Sequence, residues 1–399
     1  MVVLLILSLG SLALVACETV VPAEEADVVG PPPIPTSVVA LAGDVLAARG
    51  SVVTSESLES SSDIARVASR SVRATYRSVD AVAGTTTQVT GAFYLPRGEV
   101  PTGGWPVVSF AHGTTGLANG CGPTQLSDLA GLGGTVAALL GMGYAVAMTD
   151  YAGLGPDGVH QYLQPTSAAY NVIDAVRALR AISPAVSDRW LAYGPSQGGQ
   201  AVWAADELAA TYGDGLNLVG AVAMEPAADI TRLVDLADAN AMSSEQQAIY
   251  PMVVEGVHRV DPSLPLSDYL GTAAVSRIDA LVGCDRDARR KATDGISPSD
   301  LRPASTRAAD RLREYLRRIA LPQKLLTAPL LVVNGLNDQT ILPSWVRGAT
   351  QRQCDAGGRV VHYEIPGVGH SDLTPNKDVT NWMTQRFLTD AAPSNCRTE

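Results

Sequence analysis

Three residues carry the chemistry this sequence can do: Ser196, Asp338 and His370. Ser196 stands in Gly194-Pro-Ser-Gln-Gly198, between a short apolar run at 190–193 and a helix-like run of small residues. That strand–turn–helix context is what a G-x-S-x-G nucleophile elbow requires. The turn brings strand and helix almost together beside the serine, so the positions two before and two after it must be small. Gly194 and Gly198 fill them, and Gly199 follows. Pro195 has its own φ fixed and pushes Gly194 towards extended geometry, which suits a strand end. The helix after the turn aims its N–H groups and positive dipole end at the serine. The plainer alternative is a glycine-rich strand-to-helix turn with no chemistry.

A serine nucleophile needs a base, and the base needs a carboxylate to hold its tautomer. The chain has five histidines, of which His362 and His370 follow Asp338. His362 falls within an alternating run at 359–365 and reads as a packed or surface side chain. His370 ends Pro366-Gly-Val-Gly-His370, a glycine-rich loop after that run, where a base must be. Asp338 ends Gly335-Leu-Asn-Asp338 after the apolar strand 329–334. The chain order Ser196, Asp338, His370 is that of the α/β-hydrolase triad. Two carboxylates compete for the acid's place. Glu225 ends the strand after the nucleophile helix, where Pro226 is expected to keep it extended. Asp372 lies beside His370. The Gly-x-x-Asp turn, with no proline directly after it, favours Asp338. Asp150 precedes the serine and reads as a carboxylate that organises its own loop.

An acyl-transfer site also needs donors for the oxyanion. The N–H of Gln197, next after the nucleophile, is one candidate. The other lies in His112-Gly-Thr-Thr115-Gly116, small residues running off the strand 106–111. Thr114 is the better donor there and Thr115 the alternative, while His112 reads as a structural brace. An ordinary strand-to-helix loop is the plainer reading.

These residues need a scaffold whose strand ends converge. Residues 37–49 have helical spacing, with Gly50 able to stop the helix, and the serine-rich 51–62 reads as a loop. Alternating runs at 71–82 and 86–95 read as antiparallel strands. From Trp105 onward strands alternate with helices: strands at 106–111, 144–149, 190–193, 216–224, 329–334 and 359–365, helices at 129–140 and 168–182. That alternation implies a largely parallel sheet. About a hundred residues separate the strand ending near Met224 from the one beginning at Pro329. This insert, about 226–325, is placed to cap the site; a merely decorative insertion is the alternative.

Composition narrows the partners. The 399 residues are 46% hydrophobic, enough for a large core. Twenty-nine basic residues against 40 acidic ones give a net charge of −11, which argues against a nucleic-acid partner. Residues 1–16 are almost wholly apolar and too short to span a membrane, the length of a signal-peptide core. Leu14-Val-Ala-Cys17 resembles a bacterial lipobox, whose cysteine is lipidated and gives a membrane anchor. Plain secretion and a retained anchor are the alternatives, and no Lys or Arg precedes the apolar run. The acidic, proline-rich 17–36 reads as a tether to a folded domain over 37–399. Cys121, Cys284, Cys354 and Cys396 remain, an even number that suggests two disulfides with three possible pairings. Their wide spacing argues against zinc.

Over roughly residues 35–396 the chain resembles the secretory lipase family of α/β-hydrolases. Gly194-Pro-Ser-Gln-Gly198, Gly335-Leu-Asn-Asp338 with Pro343, and Gly369-His370 carry the resemblance. So do the strand and loop at 144–155, Asp174-Ala-Val-Arg-Ala-Leu179, and the long insert before Pro329. The resemblance implies an α/β-hydrolase fold with a helical cap and hydrolysis of acylglycerol or fatty-acyl esters, without metal or cofactor. It also implies the pairings Cys121–Cys284 and Cys354–Cys396. Family lipases carry an aspartate in the oxyanion loop, where this chain has His112-Gly-Thr-Thr115; the N–H donor can survive that change, but the aspartate side-chain donor does not carry over. Short-chain or polyester esterase is the nearest alternative, a serine peptidase the rival class. A noncatalytic binding protein would be expected to lack a member of the triad.

Overall fold

One nine-stranded sheet carries the molecule, in the order β1-β2-β3-β5-β4-β6-β7-β8-β9. The strands are β1 Val52–Ser57, β2 Ala68–Asp80, β3 Thr85–Pro96, β4 Trp105–Ala111, β5 Ala145–Thr149, β6 Val186–Pro195, β7 Asn217–Met224, β8 Leu330–Gly335 and β9 Val360–Ile365. In this computed structural model residues 32–33, 39–155, 157–370, 372–389, 391 and 393–396 are described. The apolar leader, Cys17 and most of the proline-rich stretch therefore lie outside the described residues. Among those described, no helix is long and apolar enough to cross a membrane.

The first three strands pair antiparallel, β3 joins β5 antiparallel, and β4 to β9 run parallel. Alternation along each strand divides the core in two, because successive side chains point to opposite faces. Val108, Phe110, Leu191, Tyr193, Val222 and Val333 pack towards helices Gly133–Gly141 and Lys377–Leu388. Val107, Trp190, Ala192, Ala221 and Val332 face helices Pro165–Ile182, Gln197–Tyr212 and Pro343–Asp355. The layers are those of an α/β-hydrolase: a mostly parallel sheet between helices, with parallel strands β4 to β9 ending at one edge.

Two local expectations change. The serine-rich stretch contains an edge strand, β1, paired with β2 from Val52 opposite Tyr76 to Ser57 opposite Val72. Its side chains are half-buried or exposed, so no hydrophobic alternation marks it, and the neighbouring strand supplies the order. The first helix is short, Gly43–Ala48, and Gly50 leaves it at φ +68°.

Between β7 and β8 the chain makes six α-helices, Leu233–Asp238, Ser244–Val260, Thr272–Val275, Ile278–Leu281, Arg286–Ala292 and Thr306–Ile319. Ser244–Val260 begins with a capping box, Ser243 accepting from Gln246 N–H while the Gln246 side chain accepts from Ser243 N–H.

Candidate active site

The elbow is built by close approach. Ser196 sits at φ +54°, ψ −115°, a conformation costly for a residue with a Cβ. Helix Gln197–Tyr212 starts at the next residue, and Ser196 N–H donates to the Met224 carbonyl at 2.8 Å. A Cβ on Gly194 would come 2.5 Å from the Ala111 carbonyl oxygen, and one on Gly198 would fall on that same oxygen. On Gly199 it would meet the Met224 carbonyl oxygen at 2.8 Å. Three glycines, not two, let the helix lie against β4 and β7.

The three residues singled out from the sequence meet at the strand ends. His370 Nε2 lies 3.0 Å from Ser196 Oγ, and its Nδ1 lies 2.7 Å from Asp338 Oδ2. Asp338 is buried, and its Oδ1 accepts from Thr340 N–H at 2.8 Å and Ile341 N–H at 2.9 Å. The carboxylate is thus fixed by its own loop and keeps one oxygen for the imidazole. Burial disfavours the His370 imidazolium, but the Asp338 hydrogen bond and charge, with Glu225 and Glu245 beyond, outweigh it and raise the pKa.

The competing carboxylates separate. Asp372 lies exposed in the loop after His370. Glu225 is buried, and its ligand-type atoms and those of Asp338 and His370 all lie within 4.8 Å of one another. Such a trio is the kind of set that can hold a cation, but both His370 ring nitrogens are already engaged by Ser196 and Asp338. Glu225 is not extended: its φ is +39°. Its N–H bonds the Val333 carbonyl at 2.6 Å while Ala227 N–H turns back to Ser196 O at 3.2 Å. Keeping the strand pairing and covering the elbow overrides the preference that Pro226 imposes.

The loop after β4 passes directly by the serine: a Cβ on Gly113 would stand 3.9 Å from Ser196 Cβ. Thr114 Oγ1 meets the Tyr162 hydroxyl at 2.8 Å. The Thr115 carbonyl accepts from Arg289 Nη1 at 3.3 Å. His112 is buried against Tyr151, ring centroids 4.5 Å apart, and its nitrogens face the Gly113 and Asp150 carbonyls. Burial lowers its pKa, which suits a neutral brace. Asp150 accepts from Thr124 N–H at 2.9 Å and Thr90 Oγ1 at 2.6 Å, tying its loop together. His362 stays on β9, its Nε2 2.6 Å from Asn334 Oδ1.

The segment between β7 and β8 touches both sides of this site. Cys284 is bonded to Cys121, Leu117 N–H donates to Val282 O at 2.8 Å, and Arg289 holds Thr115. On the other side Thr340 Oγ1 donates to Glu245 Oε2 at 2.6 Å and Ser243 Oγ to Gln339 O at 2.7 Å. Cys354 is bonded to Cys396. Sequence reasoning passed over Glu245, His160 and Tyr162, which come from helices and loops with no motif of their own.

Sheet order and helix layers define an α/β-hydrolase, and comparison with solved structures agrees. Candida antarctica lipase A in its closed state superposes with a TM-score of 0.71 at 15% identity, over 88% of this chain and 84% of that one. The rice cell wall degrading esterase LipA from Xanthomonas oryzae gives 0.67 at 22% identity, over 86% and 96%. The resemblance to secretory lipases holds as well: that family's model matches residues 132–281, the stretch containing the elbow. No curated protein sequence matches the chain.

Proposed function

We propose that this chain hydrolyses carboxylic esters of acylglycerol or fatty-acyl type through an acyl-enzyme. The observation that carries it is the relay Ser196–His370–Asp338, half-buried at Ser196 and His370 and buried at Asp338, with contacts of 3.0 and 2.7 Å. Asp338 accepts from His370 Nδ1–H, which leaves Nε2 free to take the Ser196 proton as Oγ attacks the ester carbonyl. The N–H groups of Gln197 and Thr114 hold the oxyanion, and losing one such donor can cost about 3 kcal/mol. His370 returns its proton to the leaving alcohol, then draws one from the water that releases the acid. Every step uses groups of the chain itself. The stretch 226–325 acts as a cap: it grips the oxyanion loop through Cys284 and the acid's loop through Glu245.

The test is a chain-length series of p-nitrophenyl esters beside an emulsified triglyceride and a peptide amide. Turnover of long-chain esters and triglyceride fits a lipase, and turnover confined to short chains an esterase. Amide cleavage without ester turnover would move the enzyme to the peptidases.

The name of the matched family fits an exported protein, and we place Cys17 as its lipid attachment point. The mature protein should then partition with membranes, and Cys17→Ser should release it or stall its processing. An unmodified mature N-terminus at another residue, read by mass spectrometry, would remove the anchor.

A further inference from the structure

The segment following β5 carries a buried histidine that the relay does not use. His160 is 3% exposed, and both its nitrogens are engaged. Nδ1 lies 3.0 Å from the Ala152 carbonyl oxygen and Nε2 3.0 Å from Gln197 Nε2. A carbonyl oxygen only accepts, so Nδ1 carries the proton. Burial pushes the pKa of the ring down to about 3, so it stays neutral at working pH and Nε2 keeps its lone pair. The Gln197 amide nitrogen therefore donates into Nε2, and a flipped amide would set two acceptors face to face.

Gln197 is the residue whose backbone N–H serves the oxyanion in the reading above. Its peptide plane hangs from Ser196, whose φ and ψ local preferences do not favour, so a tertiary contact has to hold it. We infer that His160 is a positioning residue for the oxyanion hole, gripping the Gln197 side chain so that the Gln197 N–H stays aimed at the reacting carbonyl oxygen. This inference rests on the ester-hydrolase reading. The neighbours of His160 work on the other half of the hole: Tyr162 meets Thr114, and the Tyr151 hydroxyl donates to His112 O at 2.9 Å. One connecting segment thus braces both stretches that supply the donors.

The test compares wild type, His160→Leu, His160→Gln, Gln197→Ala and the His160→Leu/Gln197→Ala double variant. Active serines are counted with a fluorophosphonate, kcat and KM are read on a p-nitrophenyl ester, and affinity is read for an alkyl boronic acid. The boronic acid takes Ser196 Oγ to give a tetrahedral anion that needs the same hole. His160→Leu should lower kcat per titrated serine about ten- to a hundredfold, the scale of a small misplacement, with KM within about twofold. Boronate affinity should fall by the same factor. His160→Gln, which keeps an acceptor, should recover most of it, and His160→Leu should add nothing in the Gln197→Ala background. Unchanged kcat per titrated serine, or losses that multiply in the double variant, would overturn the positioning role. Should His160→Leu not fold, Gln197→Ala carries the test, since it keeps the N–H and loses the grip. Wild type inert towards every ester would sink the functional reading separately, and His160 would then stand or fall on the ratio of boronate affinities.

Discussion

The relay makes unequal demands on its members. Ser196→Ala removes the nucleophile from a half-buried position, so it should lower kcat at least about a thousandfold while leaving the unfolding transition in place. Normal turnover by the folded variant would refute the elbow. Asp338→Asn should cost up to about ten-thousandfold in kcat, because the imidazole loses the partner that fixes its tautomer. Glu225→Gln should act differently. Its charge favours the imidazolium, so neutralising it lowers the His370 pKa. The proposed mechanism needs neutral His370, whose raised pKa would put the acid limb of kcat/KM above pH 6.5 in wild type. That limb should move towards lower pH in Glu225→Gln, read from a kcat/KM profile. A Glu225→Gln enzyme crippled at every pH beside a near-normal Asp338→Asn would move the acid to Glu225. Ser196, Asp338 and His370 were legible because glycines punctuate all three loops. His160 was not, since a lone histidine in a loop carries no spacing that names its partner across 37 residues.

Glycine placement is also where the elements are most sensitive. Gly198→Ala would drive a methyl group onto the Ala111 carbonyl where helix and β4 meet. It should destabilise by about 4 kcal/mol or more, seen as lost soluble yield or an early denaturation midpoint. Gly134, in helix Gly133–Gly141 with nothing within 4 Å of a built Cβ, is the contrast. Alanine there should stabilise by about 0.5–1 kcal/mol, read by the same denaturation. A Gly198→Ala protein as stable as wild type would mean the elbow packs less tightly than described. Strands β2 to β9 were readable from alternation or unbroken apolar runs, each buried on one face or both. Strand β1 was not, because its order comes from pairing with β2 rather than from its own serines. The turn at Glu225 was misread for a related reason: contacts distant in sequence outvote the proline beside it.

At the scale of the whole molecule, buried ionisable groups set the response to pH. Burial raises the carboxyls of Asp174 and Asp206 to about 7 and of Glu207 to about 8. Their folded pKa values exceed the unfolded ones, so the folded state binds protons more tightly and stability declines as pH rises towards 8. His370, raised as well, contributes stability present below its unfolded pKa and lost as pH rises through the folded one. His112, His160 and His362 are lowered chiefly by burial, so their contribution is lost only as pH falls below about 6.5. Between pH 6.5 and 8 the surviving slopes therefore share a sign. Tm should fall across that window in calorimetric scans, and a rising Tm would mean these carboxyls are better solvated than their burial implies.

The bond between Cys121 and Cys284 also gives the molecule a covalent topology. It closes a ring with a sequence separation of 163, and Ser196 lies inside that ring while Asp338 and His370 lie outside. A single proteolytic nick anywhere between residues 121 and 284 separates nothing: both fragments migrate as one species until a thiol is added. A nick between 285 and 337, at exposed Leu325 for instance, falls in neither ring. It leaves Ser196 on one polypeptide and Asp338 and His370 on another, joined by packing alone, so dilution or mild denaturant would part the proposed triad itself.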